Sequence, residues 1–258
     1  MAGISIQARF SRLICHREGS SWRKTEPYLW TLFFKIDGST VKLSERFELE
    51  GEAVFHHTAG SHGNLGVLEM RTGEEVVIPA KIGVWQTTLE PIPVPFFNYE
   101  IPGIIGMVAV LMEKENVSAA GAEAGHQALN TYVEKAVNEA LTQFDVKQID
   151  VENIQASIKA YFSEQVGQFE AGIEKAVTDA VIRSQNVFQN LWSLLDRDDL
   201  IGYEVWDLDQ DLLQAEGKFD IQKRWTDNQT GDWELRGEIL TDGLVPPTTS
   251  PVQIEIED

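Results

Sequence analysis

The residues best suited to chemistry in this sequence are carboxylates that cluster at two separate points of the chain. The segment Asp196-Arg197-Asp198-Asp199 places three acids within four residues, and Gly202 follows shortly after. Glu113 and Glu115 stand one residue apart at the end of an apolar run. Because Ca²⁺ is bound by about six to eight oxygen atoms, many of them from carboxylates, this spacing indicates a candidate calcium site. The alternative is a solvated acidic turn that ends a helical segment.

Histidines form a second group of candidate ligands, His56-His57 and His62. Imidazole nitrogens bind zinc and related metals, but no cysteine lies nearby, so the alternative is a polar hairpin loop. The one cysteine of the chain, Cys15, follows Leu13-Ile14. We expect a buried thiol that faces away from His16, because neighbouring residues of a strand point to opposite faces.

The elements that position these residues follow from the apolar pattern, which is strand-like at both ends of the chain. Strands are predicted at residues 4–10, 28–36, 76–78, 82–85, 104–112, 202–208, 219–225, 233–240 and 252–256, and near Val67. Asp37-Gly38 and the segment from Asp227 to Asp232 are typical of turns between strands.

The middle of the chain has a helical pattern instead. No proline occurs between Ala119 and Leu195, and apolar residues recur there at steps of three and four. One stripe begins at Leu129 and a second runs from Ile154 to Leu195. The first stripe consists of Leu129, Val133, Val137, Ala140, Leu141 and Phe144. The two stripes predict a helical hairpin or a three-helix segment whose apolar faces pack on each other.

The order of these patterns predicts an α+β fold, an antiparallel β-sandwich interrupted by an inserted helical segment. Residues 1–116 and 196–258 are predicted to form the discontinuous sandwich, and residues 117–195 are the predicted insertion. On this hypothesis, removal of the insertion leaves a folded β-domain.

Three short motifs resemble the C2 domain, the calcium- and lipid-binding β-sandwich of synaptotagmin and protein kinase C. Asp199-Leu200-Ile201-Gly202 is similar to the step that closes the third calcium loop of that family. The run from Val108 to Asn116 is similar to the strand and acids that open the same loop. Thr25-Glu26-Pro27-Tyr28 resembles the end of the first loop. The resemblance therefore implies that the predicted insertion lies within the third loop.

The resemblance also implies a set of calcium ligands. The implied ligands are Glu26, Glu113, Glu115, Asp196, Asp198 and Asp199. The chain departs from the family pattern, because glutamates stand where metal-binding members have aspartates. A further aspartate is expected near Ser20, where Glu18 is the closest acid. Since glutamate is longer by one methylene group, a cage shaped for aspartate does not transfer unchanged.

Composition limits the partners. The formal charge of -20, from 41 acids and 21 bases, repels phosphate backbones and argues against nucleic acid. Anionic membranes are disfavoured for the same reason unless divalent cations bridge the two surfaces. The segment from Met1 to Ile6 shows no signal peptide, which predicts a cytoplasmic protein or one exported without such a signal.

Three functions follow as hypotheses. The sequence contains no Gly-x-Ser-x-Gly, Gly-x-Gly-x-x-Gly or phosphate-loop motif, which favours a non-enzymatic binding module. Its partner is a protein or, with a divalent cation, a membrane surface. The second hypothesis is a toxin or injected effector whose helical insertion rearranges to act on membranes. The third is an enzyme with an unassigned acidic site between the sandwich and the helices.

Overall fold

The structure, a computed structural model, describes residues 3–19, 25–46, 48–96, 99–114, 117–142, 179 and 199–241. Within these ranges the chain forms antiparallel sheets and three helices, a β-rich α+β fold. The elements in chain order are β1 (Ile4–Arg17), β2 (Pro27–Ile36), β3 (Val41–Leu43), β4 (Leu49–Gly51), β5 (Val54–His57), β6 (Glu75–Val77), α1 (Ala80–Gly83), β7 (Val84–Leu89), β8 (Ile92–Pro93), β9 (Glu100–Ile101), β10 (Ile104–Glu113), α2 (Ala119–Leu141), β11 (Asp199–Asp209), α3 (Gln210–Glu216), β12 (Lys218–Asp227) and β13 (Gly231–Thr241).

The larger sheet has five strands and is organised around β1. Strand β13 pairs with one edge of β1 and with β12, while β6 and β7 share the other edge of β1. The alternation predicted for residues 4–10 is confirmed, because Ile4, Ile6, Ala8 and Phe10 are all buried. The hairpin predicted between Asp227 and Asp232 is also confirmed, since it joins β12 to β13.

The smaller sheet has four strands in the order β11-β10-β2-β5. Its two central strands, β2 and β10, are buried at every position. A strand that is buried throughout needs a covering layer on each of its faces, since its side chains alternate between them.

Two hydrophobic clusters supply those layers. The sheet–sheet core joins one face of β2 and β10 to the five-stranded sheet and includes Phe10, Leu13, Phe33, Met107, Leu111 and Leu235. The α2–sheet core joins the opposite face to helix α2. It includes Tyr28, Trp30, Leu32, Phe34, Val108, Val110 and Met112 of the strands and Ala122, Leu129, Val133, Val137, Ala140 and Leu141 of α2.

Helix α2 confirms the helical pattern predicted to follow Ser118. The Ser118 hydroxyl accepts a hydrogen bond from the Gly121 N–H at 3.1 Å, which caps the first turn. The predicted apolar stripe is buried from Leu129 to Leu141 and packs on the four-stranded sheet, while its last predicted residue, Phe144, lies outside the described residues. The second predicted stripe, Ile154 to Leu195, lies outside the described residues apart from Asp179. None of the described helices is both long enough and apolar enough to cross a membrane.

Some elements differ from the sequence prediction. Residues 82–85 were predicted as one strand, but Ile82 lies in α1 and the strand begins at Val84. Val67 lies in a loop rather than a strand. Helix α3 was not predicted, although Asp209 caps its start and Gly217, with φ of 68°, ends it.

Candidate functional site at the stems of the predicted insertion

The two chain segments that lead into and out of the predicted insertion meet in the four-stranded sheet. Strand β10 ends at Glu113, strand β11 begins at Asp199, and the two strands pair antiparallel with these residues as register partners. On the other side of β10, Glu113 is the register partner of Pro27, which follows Glu26. The structure therefore brings Glu26, Glu113 and Asp199 to the same end of three adjacent strands.

The other three predicted calcium ligands, Glu115, Asp196 and Asp198, lie outside the described residues. Within the ranges that the structure describes, no group of three or more His, Cys, Asp or Glu side chains is placed to hold a metal ion. A complete oxygen cage at this end of the sheet would therefore need ligands from the undescribed residues. The calcium site stays a prediction.

Glu113 and Glu26 differ in solvent exposure and in their charged neighbours. Glu113 is buried, with 3% of its surface exposed. Glu26 is partly exposed and already has a cationic partner, because the Lys114 ammonium pairs with its carboxylate. The Lys114 N–H also donates to the Glu26 carbonyl oxygen at 3.0 Å. A cation bound here would compete with Lys114 for Glu26, a partner that sequence reasoning did not include.

A β-bulge lies beside these stems. The register changes between Leu111, opposite Gly202, and Met112, opposite Leu200, so Ile201 is the extra residue of β11. Ile201 is buried in the sheet–sheet core. A bulge bends a strand and increases its twist, which changes the direction in which β11 leaves the site.

Gly202, which the resemblance assigned to a calcium-loop closure, has a packing role in the structure. The Trp225 ring lies directly against Gly202, and its indole N–H donates to the Tyr203 carbonyl oxygen at 3.1 Å. A Cβ atom at position 202 would overlap the indole ring. This contact joins β11, at the edge of the four-stranded sheet, to β12 of the five-stranded sheet.

We expect Gly202→Ala to lower the free energy of unfolding by about 1–3 kcal/mol, the usual cost of overpacking. Urea unfolding followed by circular dichroism measures the change. The matched control is the same substitution in a Trp225→Ala background, where the space is open and the loss should be under about 1 kcal/mol. Equal losses in the two backgrounds would show that the ring is not the cause.

The histidines of the 56–62 segment do not converge on one point. His56 stacks on Trp85, with ring centroids 5.8 Å apart, and burial lowers its pKa. His57 pairs with Glu134 of α2. His62 lies edge-on to Tyr28 at 4.9 Å. His56 therefore borders the sheet–sheet core, whereas His57 contacts helix α2 and His62 contacts Tyr28 of the α2–sheet core. Since each imidazole has a different neighbour, the three histidines do not form a metal site.

Cys15 is buried, as predicted, and its burial raises the pKa of the thiol to about 12. His16 belongs to the opposite face of β1, where its Nε2 lies 2.6 Å from the Glu234 carboxylate. A thiol with such a raised pKa is almost wholly protonated at neutral pH and is therefore a poor nucleophile.

One titratable residue was missed by sequence reasoning. His126 occupies an inward position of α2, one turn before Leu129, and it is fully buried. The signal was available, because a histidine at an apolar position of an amphipathic stripe must face the core. Its ring stacks on Trp30, and Trp30 in turn contacts Tyr28.

No protein-family model, curated protein or solved structure matches this chain.

Proposed function

We propose that this chain is a non-enzymatic binding module built on a C2-like β-sandwich, with residues 117–195 inserted between two of its strands. The carboxylates at the stems of the insertion take up Ca²⁺ and couple cation binding to the engagement of a partner. The partner is a protein or, when the cation is bound, an anionic membrane surface. The observation that carries the proposal is the pairing of Glu113 with Asp199 at the junctions of the predicted insertion.

Repulsion between like charges is the physical basis for calcium binding at the stems. Acids at the ends of adjacent strands repel one another, and a hard cation with oxygen ligands relieves that repulsion. The chain as a whole is strongly acidic, with a net charge of -20, so a local cation also reduces the barrier to contact with an anionic surface. Glu115, Asp196 and Asp198 adjoin the paired stems in sequence and would complete the ligand set.

Calcium should raise the melting temperature of the chain. A ligand present at about a hundredfold excess over its dissociation constant stabilises the folded state by about 2.7 kcal/mol. For a chain of this length that corresponds to about 5–10 °C. Differential scanning calorimetry from chelator to millimolar calcium measures the shift, and Asp198→Asn/Asp199→Asn should abolish it.

The control variant is Glu45→Gln/Glu48→Gln, which removes the same charge from two exposed acids of the β3–β4 connection. We expect this control to keep the calcium response. A response lost in both double variants would indicate a non-specific effect of charge, and no rise in wild type would contradict the calcium site. Sedimentation with phosphatidylserine vesicles, with and without calcium, then separates a membrane partner from a protein partner.

A further inference from the structure

Helix α2 is the covering layer of an apolar sheet face. The outer face of the four-stranded sheet, defined by Tyr28, Trp30, Leu32 and Phe34 of β2 with the matching residues of β10, contacts the buried stripe of α2. The helix ends are held by few polar contacts. Ser61 donates to the Ala119 carbonyl oxygen at 2.9 Å, and the Asn138 side chain accepts from the Ala53 N–H at 3.0 Å.

His126 lies in the middle of this contact with only one of its two ring nitrogens hydrogen bonded. Its Nε2 donates to the Thr31 carbonyl oxygen of β2 at 3.2 Å. Because a carbonyl can only accept, Nε2 carries the hydrogen and Nδ1 of the neutral ring is an acceptor. Nδ1 is buried and has no hydrogen-bond partner, and the backbone of Gly60 lies directly against it.

Protonation of His126 would therefore create a buried cation. The added hydrogen on Nδ1 would face Gly60, which has no side chain to accept it, and whose own N–H donates to Glu123 at 3.2 Å. Trp30 on the ring face is uncharged, and His57 of β5, which pairs with Glu134, adds no negative charge near the ring. Within the described residues, Nδ1 has no hydrogen-bond partner and the ring is fully buried, so the added charge would lack both solvent and a directly bonded counter-ion.

We propose that α2 is an acid-sensitive latch: protonation of His126 favours transient opening of the helix from the outer face of the four-stranded sheet while the sheet–sheet core stays closed. The released state exposes the apolar face of β2 and β10, and the imidazolium reaches water. Above neutral pH the neutral ring and its bond to Thr31 keep the latch shut.

The direction of the pH dependence follows from linkage. Burial lowers the pKa of His126 to about 4 in the closed state, against 6.5 in water. The released state therefore binds more protons between these values, and the closed state is favoured above pH 6.5 and progressively lost below it. From these two pKa values, the equilibrium constant for release increases roughly 30-fold between pH 7.5 and pH 5.

Thiol labelling can test the latch on the full-length chain. Val133 is buried at the centre of the α2–sheet contact, so Val133→Cys places a thiol that reacts only after release. The native Cys15, in the sheet–sheet core, reports opening of that core in the same molecule. Labelling with 4,4′-dithiodipyridine, which reacts at acid pH, is normalised to the rate of the urea-unfolded chain at each pH.

We expect normalised labelling at position 133 to increase roughly 30-fold from pH 7.5 to pH 5 and to exceed that of Cys15 at least tenfold. In His126→Gln the increase should fall below about threefold, whereas His57→Gln should keep it. His126→Leu replaces His126→Gln if the latter does not fold. Equal labelling of the two thiols at every pH, or an unchanged increase without His126, would overturn the proposal.

Discussion

Deleting residues 118–194 and joining the ends with a short Gly/Ser linker is expected to lower the free energy of unfolding by about 6–12 kcal/mol and leave a weakly stable β-domain. The deletion removes α2 and exposes the outer face of the four-stranded sheet. Tyr28, Trp30, Leu32 and Phe34 are each fully buried there. Exposing four such side chains costs about 6–12 kcal/mol at about 1.5–3 kcal/mol each. That sum is comparable to the whole stability of an ordinary protein, about 5–15 kcal/mol.

The matched control keeps α2 and replaces only residues 145–194. Helix α2 has 23 residues and is about 34 Å long, so a Gly/Ser linker of about twenty residues can return the chain to β11. We expect this control to unfold in urea at a much higher concentration than the larger deletion, with both transitions followed by circular dichroism. Equal urea midpoints in the two deletions would instead support the division into residues 1–116 plus 196–258 and residues 117–195, with no contribution of α2 to the core.

The sequence predicted the helix but not its partner. An apolar stripe shows that a helix must cover something, and it does not distinguish a second helix from a sheet. The missing information was in the strands, because Tyr28 to Ile36 and Ile104 to Met112 are nearly continuous apolar runs. Such runs are typical of strands buried on both faces, so they required a covering layer that the sequence prediction did not provide.

For the candidate site, too, the sequence predicted which residues lie close together but not their local contacts. The order of strands brought Glu113 close to Asp199 before any register was known. The bulge at Ile201 and the ion pair between Lys114 and Glu26 could not be predicted, because both depend on the relative positions of neighbouring strands. Asn64 shows the same limit: its side chain binds both the N–H and the carbonyl oxygen of Leu29, which imitates a strand partner.

We expect Asp37→Asn, which removes one charge of a buried ion pair, to lower the free energy of unfolding by about 3–5 kcal/mol. The Asp37 carboxylate is fully buried and contacts the Lys35 ammonium at 2.7 Å. It also accepts from the N–H groups of Ser39 and Glu90, at 3.1 and 2.9 Å. The NH2 group of an asparagine side chain is itself a donor, so it could not accept the hydrogen bonds that one carboxylate oxygen accepts now. The substitution would also leave the Lys35 charge without its counter-ion.

Urea denaturation measures this loss, and the control is an exposed pair of the same kind. Lys42 and Glu50 lie 3.2 Å apart with at least half of each side chain exposed, so Glu50→Gln should cost under about 1 kcal/mol. If Lys35→Met is added to Asp37→Asn, part of the stability should return, because the unpaired buried charge is removed. A loss in Asp37→Asn as small as that in Glu50→Gln would show that the carboxylate does not hold the end of β2 to the end of β7.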